Sequence, residues 1–402
     1  MVGVLAVVVD AAFPDAHNTP PAGWTGPVFT LSQNYPTVLP ALEPASALRW
    51  MQFDFKNPAQ ASPYLQAVLD YCLEGNKENT FADVSQNPVR TWYHAPWLHS
   101  GASGREFIRG MTKERSSRPR ELGPAQTAAH DNWAVGFYNA RGGFTIGQVW
   151  QDATHPDPRK AIFPAQTVAC KLLFTTAPVS EAPFLEGSLE WEGDINRATG
   201  NGARPTVRLL QLDVAVRDPR ADTTTGWVFG TFQYEKAASS STNWWEHMVS
   251  VGLMWGSDVA QLKMNQPTQE EWINGARGQK LHLGRNDLVL NGPIDNPLGS
   301  CTACHGFAQV ARVNNPTPAL PSGPPAAGAT GTALDRYFQN VKSATAVSAD
   351  YVSLDYSLQL QLGIARAMAA GQASLPASLN SIGRAAGSSR PVATRVKEVT
   401  RE

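Results

Sequence analysis

The chain has 402 residues, which at about 150 residues per structural unit predicts two or three of them. Hydrophobic residues make up 42% and charged residues only 17%, so a sizeable interior can be buried. Thirty-three Lys and Arg against 34 Asp and Glu leave a net charge of −1 and argue against a nucleic-acid binder, which needs a basic excess to neutralise phosphates. No stretch approaches the ~20 apolar residues of a membrane span. Twelve Trp, 15 Phe and 9 Tyr predict a large aromatic-lined interior.

In chain order, residues 1–9 (MVGVLAVVV) have the apolar character of an export-signal core without its positive flank. Residues 1–13 are therefore expected to be a truncated export signal or anchor remnant. Proline and turn formers fill 14–60, as in extended chain laid over something else. A helix is predicted next, with Ser62 as cap, Pro63 at its first position and Leu65, Val68, Leu69 and Cys72 on one face, ending at Gly75. Cys72 is thus expected to be core packing. Residues 90–150 are dense in aromatics and enclose a basic run from Arg105 to Arg120. It reads either as a solvated mixed-charge face or as arginines that meet the acid groups of a cofactor or partner.

From 163 onward the pattern becomes β. Leu210, Leu212, Val214 and Val216 alternate with Gln211, Asp213, Ala215 and Arg217, and a second apolar run covers 227–234 after a turn-rich loop. An antiparallel pair follows from this arrangement, with 167–176 and 248–255 as further strands. The fold class expected is α+β, a mainly antiparallel sheet with helical and irregular N- and C-terminal extensions. Residues 313–332 read as a Pro/Gly/Ala-rich linker, 333–371 as a helical segment with Leu354, Leu358, Leu362, Ala365 and Ala369 at helical spacing, and 372–402 as a disordered tail.

The four cysteines do not suggest a disulfide scaffold in a chain this long. Two of them form Cys301-Thr-Ala-Cys304-His305, the Cys-x-x-Cys-His signature of covalent c-type haem attachment. Two thiols at this spacing can each bond one porphyrin vinyl group, and the adjacent histidine can reach the iron. Structural zinc would normally show a second Cys/His pair at regular spacing, and the nearest histidine, His282, stands alone. A thiol redox pair would open a helix after a strand, whereas residues 292–297 (GPIDNP) read as a turn. One haem c on Cys301 and Cys304 with His305 as metal ligand is therefore expected, and with it an exported, periplasmic location.

Three segments, in order, resemble the cytochrome P460 family, which includes the β-sheet cytochromes c′. They are 163–171 (FPAQTVACK), Val214 to Asp218 followed by 226–232 (GWVFGTF), and the haem motif; residues 132–139 are similar to the family's opening strand and turn. The resemblance spans about 130–312, which is expected to form the haem domain, with 14–129 an N-terminal extended and helical region. It implies an antiparallel sheet with the haem against it, one proximal histidine, and an open or apolar-capped opposite iron face. Family members bind nitric oxide, and some oxidise hydroxylamine. In the oxidising members a lysine at the end of the first segment cross-links to the porphyrin, a position matched by Lys171. Ala165-Gln166 stands where the family has Asp-Gly, and Leu172 where an acid is common.

Three functions are compatible with this reading. An electron-transfer cytochrome would need a second strong axial ligand, for which Met254, Met264, Met368, His247, His282, His94 and His99 are candidates, and a redox partner protein. An oxidoreductase or gas sensor would keep the iron open to a small molecule, with Glu186, Glu190 and Glu192 as acid/base candidates. The third is a haem module within a larger assembly, its interface formed by the N-terminal arm and the aromatic block.

Overall fold

The computed structural model describes residues 31–77, 87–98, 111–193, 204–276, 283–312 and 323–376, together with Phe13, residues 22–24, Val84 and Leu379. Residues 1–9 and most of 372–402, for which a signal and a disordered tail are expected, lie outside them, as do His99 and His282. In chain order the elements are α1 (Pro58–Leu73), β1 (Met111–Lys113), β2 (Asn132–Tyr138), α2 (Ala140–Val149), β3 (Val168–Thr175), β4 (Glu190–Glu192), β5 (Thr206–Arg217), β6 (Trp227–Tyr234) and β7 (Met248–Met254). Then follow α3 (Val259–Lys263), β8 (Glu271–Ile273), the distorted turn α4 (Gly284–Asp287), α5 (Cys301–Gly306), β9 (Gln309–Ala311), α6 (Thr332–Tyr337), β10 (Tyr351–Ser353) and α7 (Leu358–Ala369). Among the described residues no helix is long and apolar enough to cross a membrane.

The fold is α+β. Its centre is an eight-stranded antiparallel sheet in the order β1-β2-β3-β5-β6-β7-β8, with β4 added against β5. Apart from β4, neighbouring strands pair in sequence order, as consecutive elements commonly do, with α2 carried in the β2–β3 connection. Both sheet faces are covered. Behind it, Phe137, Cys170, Leu172, Val214 and Phe232 pack with Leu65, Val68 and Cys72 of α1 and with Trp50 and Phe55 from the preceding arm. In front, Tyr138, Phe229 and Met254 pack with Ala303, Phe307, Tyr356, Leu360 and Ile364 from the C-terminal part of the chain.

Helix α1 begins five residues earlier than predicted. Asn57 Oδ1 accepts the Ala59 N–H at 3.0 Å and Pro58 opens the first turn, so the cap-then-proline signal that decides is Asn57-Pro58 rather than Ser62-Pro63. Pro63 is carried inside the helix, where it cannot donate to Ala59 O. The larger correction concerns Cys72 and Cys170. Both are buried, but they are joined in a disulfide that staples α1 to β3 across the back of the sheet.

The described part of the N-terminal arm lies over the α2–β3 connection. Glu43 N–H donates to Gln166 Oε1 at 2.9 Å, and Arg141 donates to Pro40 O. The sheet itself starts before residue 130, since β1 pairs with β2 from Met111 opposite Val135 to Lys113 opposite Trp133.

Candidate functional site

The segment 301–306 is a helix because Ser300 Oγ caps it, accepting the Ala303 N–H at 3.2 Å. Three residues apart on one helical turn, Cys301 and Cys304 fall on the same side. Neither is in a disulfide. Thr302 is buried on the other side, its hydroxyl 2.7 Å from Ser257 Oγ, which fixes the helix against the turn after β7. Directly after the helix, β9 pairs antiparallel with β10, and Leu354 N–H donates to Ala308 O at 2.8 Å. That ribbon brings residues 354–357 beside the motif. The ring of His305 lies against Phe229 with centroids 4.9 Å apart, and its Nδ1 stands 2.9 Å from Tyr356 O. The carbonyl can only accept, so Nδ1 carries the proton and Nε2 keeps its lone pair.

Cys301, Cys304 and His305 line one wall of a cavity of about 240 Å³. The opposing wall is the front of the sheet, and its register explains the space. One row sets Gly136, Lys171, Asp213 and Thr231 abreast, and the next sets Tyr138, Ala169, Ala215 and Phe229 abreast. Gly136, Ala169 and Ala215 of these rows, with Ala134, leave a shallow platform where Val or Leu would fill the gap. Leu358, Gln359 and Leu362 of α7 contribute a further wall, and Glu114 and Arg115 the rim near β1. Cavity residues thus come from both sides of the 130–312 segment.

The cavity has one polar end. Lys171 Nζ is 3.4 Å from Glu114 and directly opposite Asp213 in the ladder. Gln211 Nε2 reaches both Asp213, at 2.8 and 3.0 Å, and Asp295, at 3.0 Å, while Gln211 Oε1 accepts the Ile294 N–H. This amide ties the loop 292–296 to the sheet. A Cβ at Gly292 would stand 1.9 Å from Gln211 Nε2 and 2.4 Å from Asp295 Oδ2, so any larger residue there would displace this amide from its partners. Arg115 crosses the same loop, donating to Asp295 O at 2.8 Å and to Glu121 at 2.7 Å.

Burial and these charges fix the protonation states. Burial lowers His305 to about 4 against the opposing pull of the Tyr356 carbonyl, so the imidazole is neutral at pH 7. Burial, reinforced by Asp213 and Asp295, pushes the Cys301 thiol well above its ordinary value and keeps it protonated. Asp213 is raised to about 7, first by burial and then by Asp295 beside it. Burial would lower Lys171, but Glu114, Asp295 and Asp213 outweigh it and raise this lysine, so it remains a cation.

The structure brings Lys171 onto the same cavity as Cys301, Cys304 and His305, which are far from it in the chain. Of the other candidates among the described residues, it brings none there. Met254 is buried behind the motif, 3.7 Å from Thr302 Oγ1; Met264 and Met368 are 59% and 41% exposed. The ring of His247 faces the carbonyls of Glu235, Lys236 and Ser241, and His94 is buried away from the cavity. The glutamates are spent on surface ion pairs: Glu186 with Lys236, Glu190 with Arg208 at 2.7 Å, and Glu192 with Arg204 at 3.6 Å. Sequence reasoning missed Glu114, Asp213, Asp295 and Tyr356. Asp213 carried a signal, a charged residue in the middle of a long strand, but alternation alone says only that it lies opposite the apolar positions. Nothing local marks the Tyr356 carbonyl, since its role comes from a contact 51 residues away.

Comparison of the chain with protein-family models, curated proteins and solved structures finds no match.

Proposed function

We propose that this chain is an exported monohaem c-type cytochrome, with Cys301 and Cys304 holding the porphyrin through thioethers and His305 as its axial ligand. The observation that carries the reading is the donor set on one cavity wall: two cysteines outside any disulfide on one helical turn, beside a neutral imidazole whose Nδ1–H is already committed to a carbonyl. That imidazole state is the one that ligates metals, and a backbone carbonyl is a common partner of its other nitrogen. Attachment needs no oxidant, because each S–H adds across a vinyl C=C. The Cys72–Cys170 disulfide supports the same compartment, since such bonds persist where thiols are not kept reduced.

Bound there, the haem supplies a redox-active iron. The chain's own residues would hold it through two sulfurs and one nitrogen, offer it a platform of small residues, and set around it the cations Lys171 and Arg115 and the acids Glu114, Asp213 and Asp295. Among the described residues lining the cavity, His305 is the only histidine and there is no methionine. Electron transfer and small-ligand redox chemistry at the iron both rest on this donor set. Lys171 on the same cavity supports a second, narrower reading. The protein would then be a P460-like oxidoreductase acting on hydroxylamine or nitric oxide, with Lys171 cross-linked to the porphyrin. A redox partner protein would take the electrons singly.

Mass spectrometry of protein matured in an export-competent, haem-ligating host tests the first claim: one added haem mass is expected, lost in Cys301→Ala/Cys304→Ala. A bare polypeptide mass refutes it. Reduced-state absorption spectra with and without carbon monoxide test the open iron, and a Soret band that ignores carbon monoxide refutes it. A red-shifted spectrum abolished in Lys171→Ala would support the cross-link.

A further inference from the structure

The carbonyl that holds His305 belongs to an unusual turn. Residues 354–357 form it, closed by Ser357 N–H on Leu354 O at 3.0 Å, and both central residues are left-handed: Asp355 at φ 47° and Tyr356 at φ 68°. Two-residue turns of that kind suit Asn-Gly. An aspartate tolerates the left-handed region, but a tyrosine rarely enters it. Such a pair persists only where the surroundings over-determine it.

Here the surroundings converge on the carboxylate of Asp355, which is 1% exposed. It accepts from the Phe163 N–H at 2.7 Å, Trp227 Nε1–H at 3.0 Å, Ser343 Oγ–H at 2.8 Å and the Ala344 N–H at 3.0 Å. These donors come from the segment before β3, the start of β6 and the α6–β10 connection. Tyr356 is locked as well, its hydroxyl donating to Val341 O. Ser357 then caps α7, accepting the Leu360 N–H at 3.2 Å, and lies 2.9 Å from Tyr138 Oη. A helix start alone would not need two adjacent left-handed non-glycine residues. What this geometry delivers is the Tyr356 carbonyl, pointed out of the turn at His305 Nδ1.

We propose that Asp355 is a positioning residue for the axial ligand: by pinning residues 355 and 356 it aims the Tyr356 carbonyl at His305 and so sets the tautomer, orientation and basicity of the imidazole. The proposal rests on the reading of His305 as the iron ligand. Outer-shell partners of this kind tune metal affinity and electronics without touching the metal.

The test uses the full-length, haem-loaded protein and two variants, Asp355→Asn and Ser343→Ala. The readouts are covalent haem mass, the iron–histidine stretching frequency of the ferrous form by resonance Raman, and the reduction potential. Both variants should keep the covalent haem. Asp355→Asn should lower the stretching frequency and raise the potential, because a less firmly held Nδ1–H makes a less electron-rich ligand. Ser343→Ala, which removes one of the four donors and no charge, should move both in the same direction by less. A raised potential with an unmoved frequency in Asp355→Asn would be a charge effect alone and overturns the proposal. If Asp355→Asn does not fold, Ser343→Ala decides, and wild-type values there overturn it. A wild-type protein without covalent haem refutes the parent reading, and this one with it.

Discussion

Breaking the Cys72–Cys170 bond should cost the fold several kcal/mol. The two cysteines are separated by 98 residues. Closing a loop of that size removes about 16 cal/mol/K of chain entropy from the unfolded state, or about 4.7 kcal/mol at 25 °C; native disulfides commonly deliver about 2–4 kcal/mol. We therefore expect reduction to lower the unfolding free energy by about 2–5 kcal/mol. Both sulfurs are buried, Cys72 at 1% and Cys170 at 2% exposure, so Cys72→Ala/Cys170→Ala adds the cost of two small voids, about 1 kcal/mol each. Urea unfolding followed by tryptophan fluorescence, on oxidised protein, reduced protein and the double variant, separates the two contributions. Thiol titration in denaturant gives an independent check: the haem-free chain should show two reactive thiols before reduction and four after. Four thiols without reductant, or a reduced protein within about 1 kcal/mol of the oxidised one, would refute the reasoning. The bond matters to the cavity because Lys171 follows Cys170 on β3 and faces the other way, so the staple behind the sheet steadies the strand that lines the site in front.

Three further outcomes follow from the same structure. Asp213 is raised to about 7, above its unfolded value near 4, so folding takes up a proton between these limits and this group's contribution to stability falls as pH rises through them. Asp213→Asn should therefore gain stability relative to wild type between pH 5 and pH 8 in urea titrations; an unchanged difference at the two pH values counts against the assignment. Gly230→Ala would place a Cβ 2.1 Å from Leu65 Cδ2 where α1 meets the sheet, and should cost about 1–3 kcal/mol by thermal or urea unfolding, an unaltered midpoint being the contrary result. Asn57→Ala removes the exposed cap of α1 and should cost about 1 kcal/mol, with no cavity to enlarge the effect; a loss near zero would mean that Pro58 suffices to start the helix.

Strand positions were legible in the sequence because β-branched and aromatic runs bounded by turns leave few alternatives. The run 227–234 coincides with β6, and 167–176 and 248–255 each enclose a strand with little margin. The motif at 301–305 was legible because its chemistry is local. What alternation could not say is what lies on each face. Gln211 is 0% exposed although it sits on the polar side of β5, because that side meets the C-terminal layer rather than water. Nor could it separate a core cysteine from a bonded one, since packing and pairing both ask for a buried position on a helix face. The helical pattern from Leu354 onward hid a different structure at its start, because hydrophobic spacing does not register a turn held by one aspartate.

A cavity beside a well-packed sheet needs something to keep it from closing, since apolar side chains collapse into any gap they can reach. Here the answer is a frame of buried hydrogen bonds anchored in different parts of the chain. Gln211 holds the 292–296 loop to the sheet, Thr302 on Ser257 holds α5, and Asp355 holds the turn behind His305. Each anchor is a polar group whose burial is tolerable only while its partners stay in place, so loosening any wall leaves an unsatisfied group and is penalised. The small residues of the platform remove the side chains that would otherwise fill the space. The walls are therefore fixed by polar contacts and the opening by missing bulk, an arrangement that positions Cys301, Cys304 and His305 before anything binds between them.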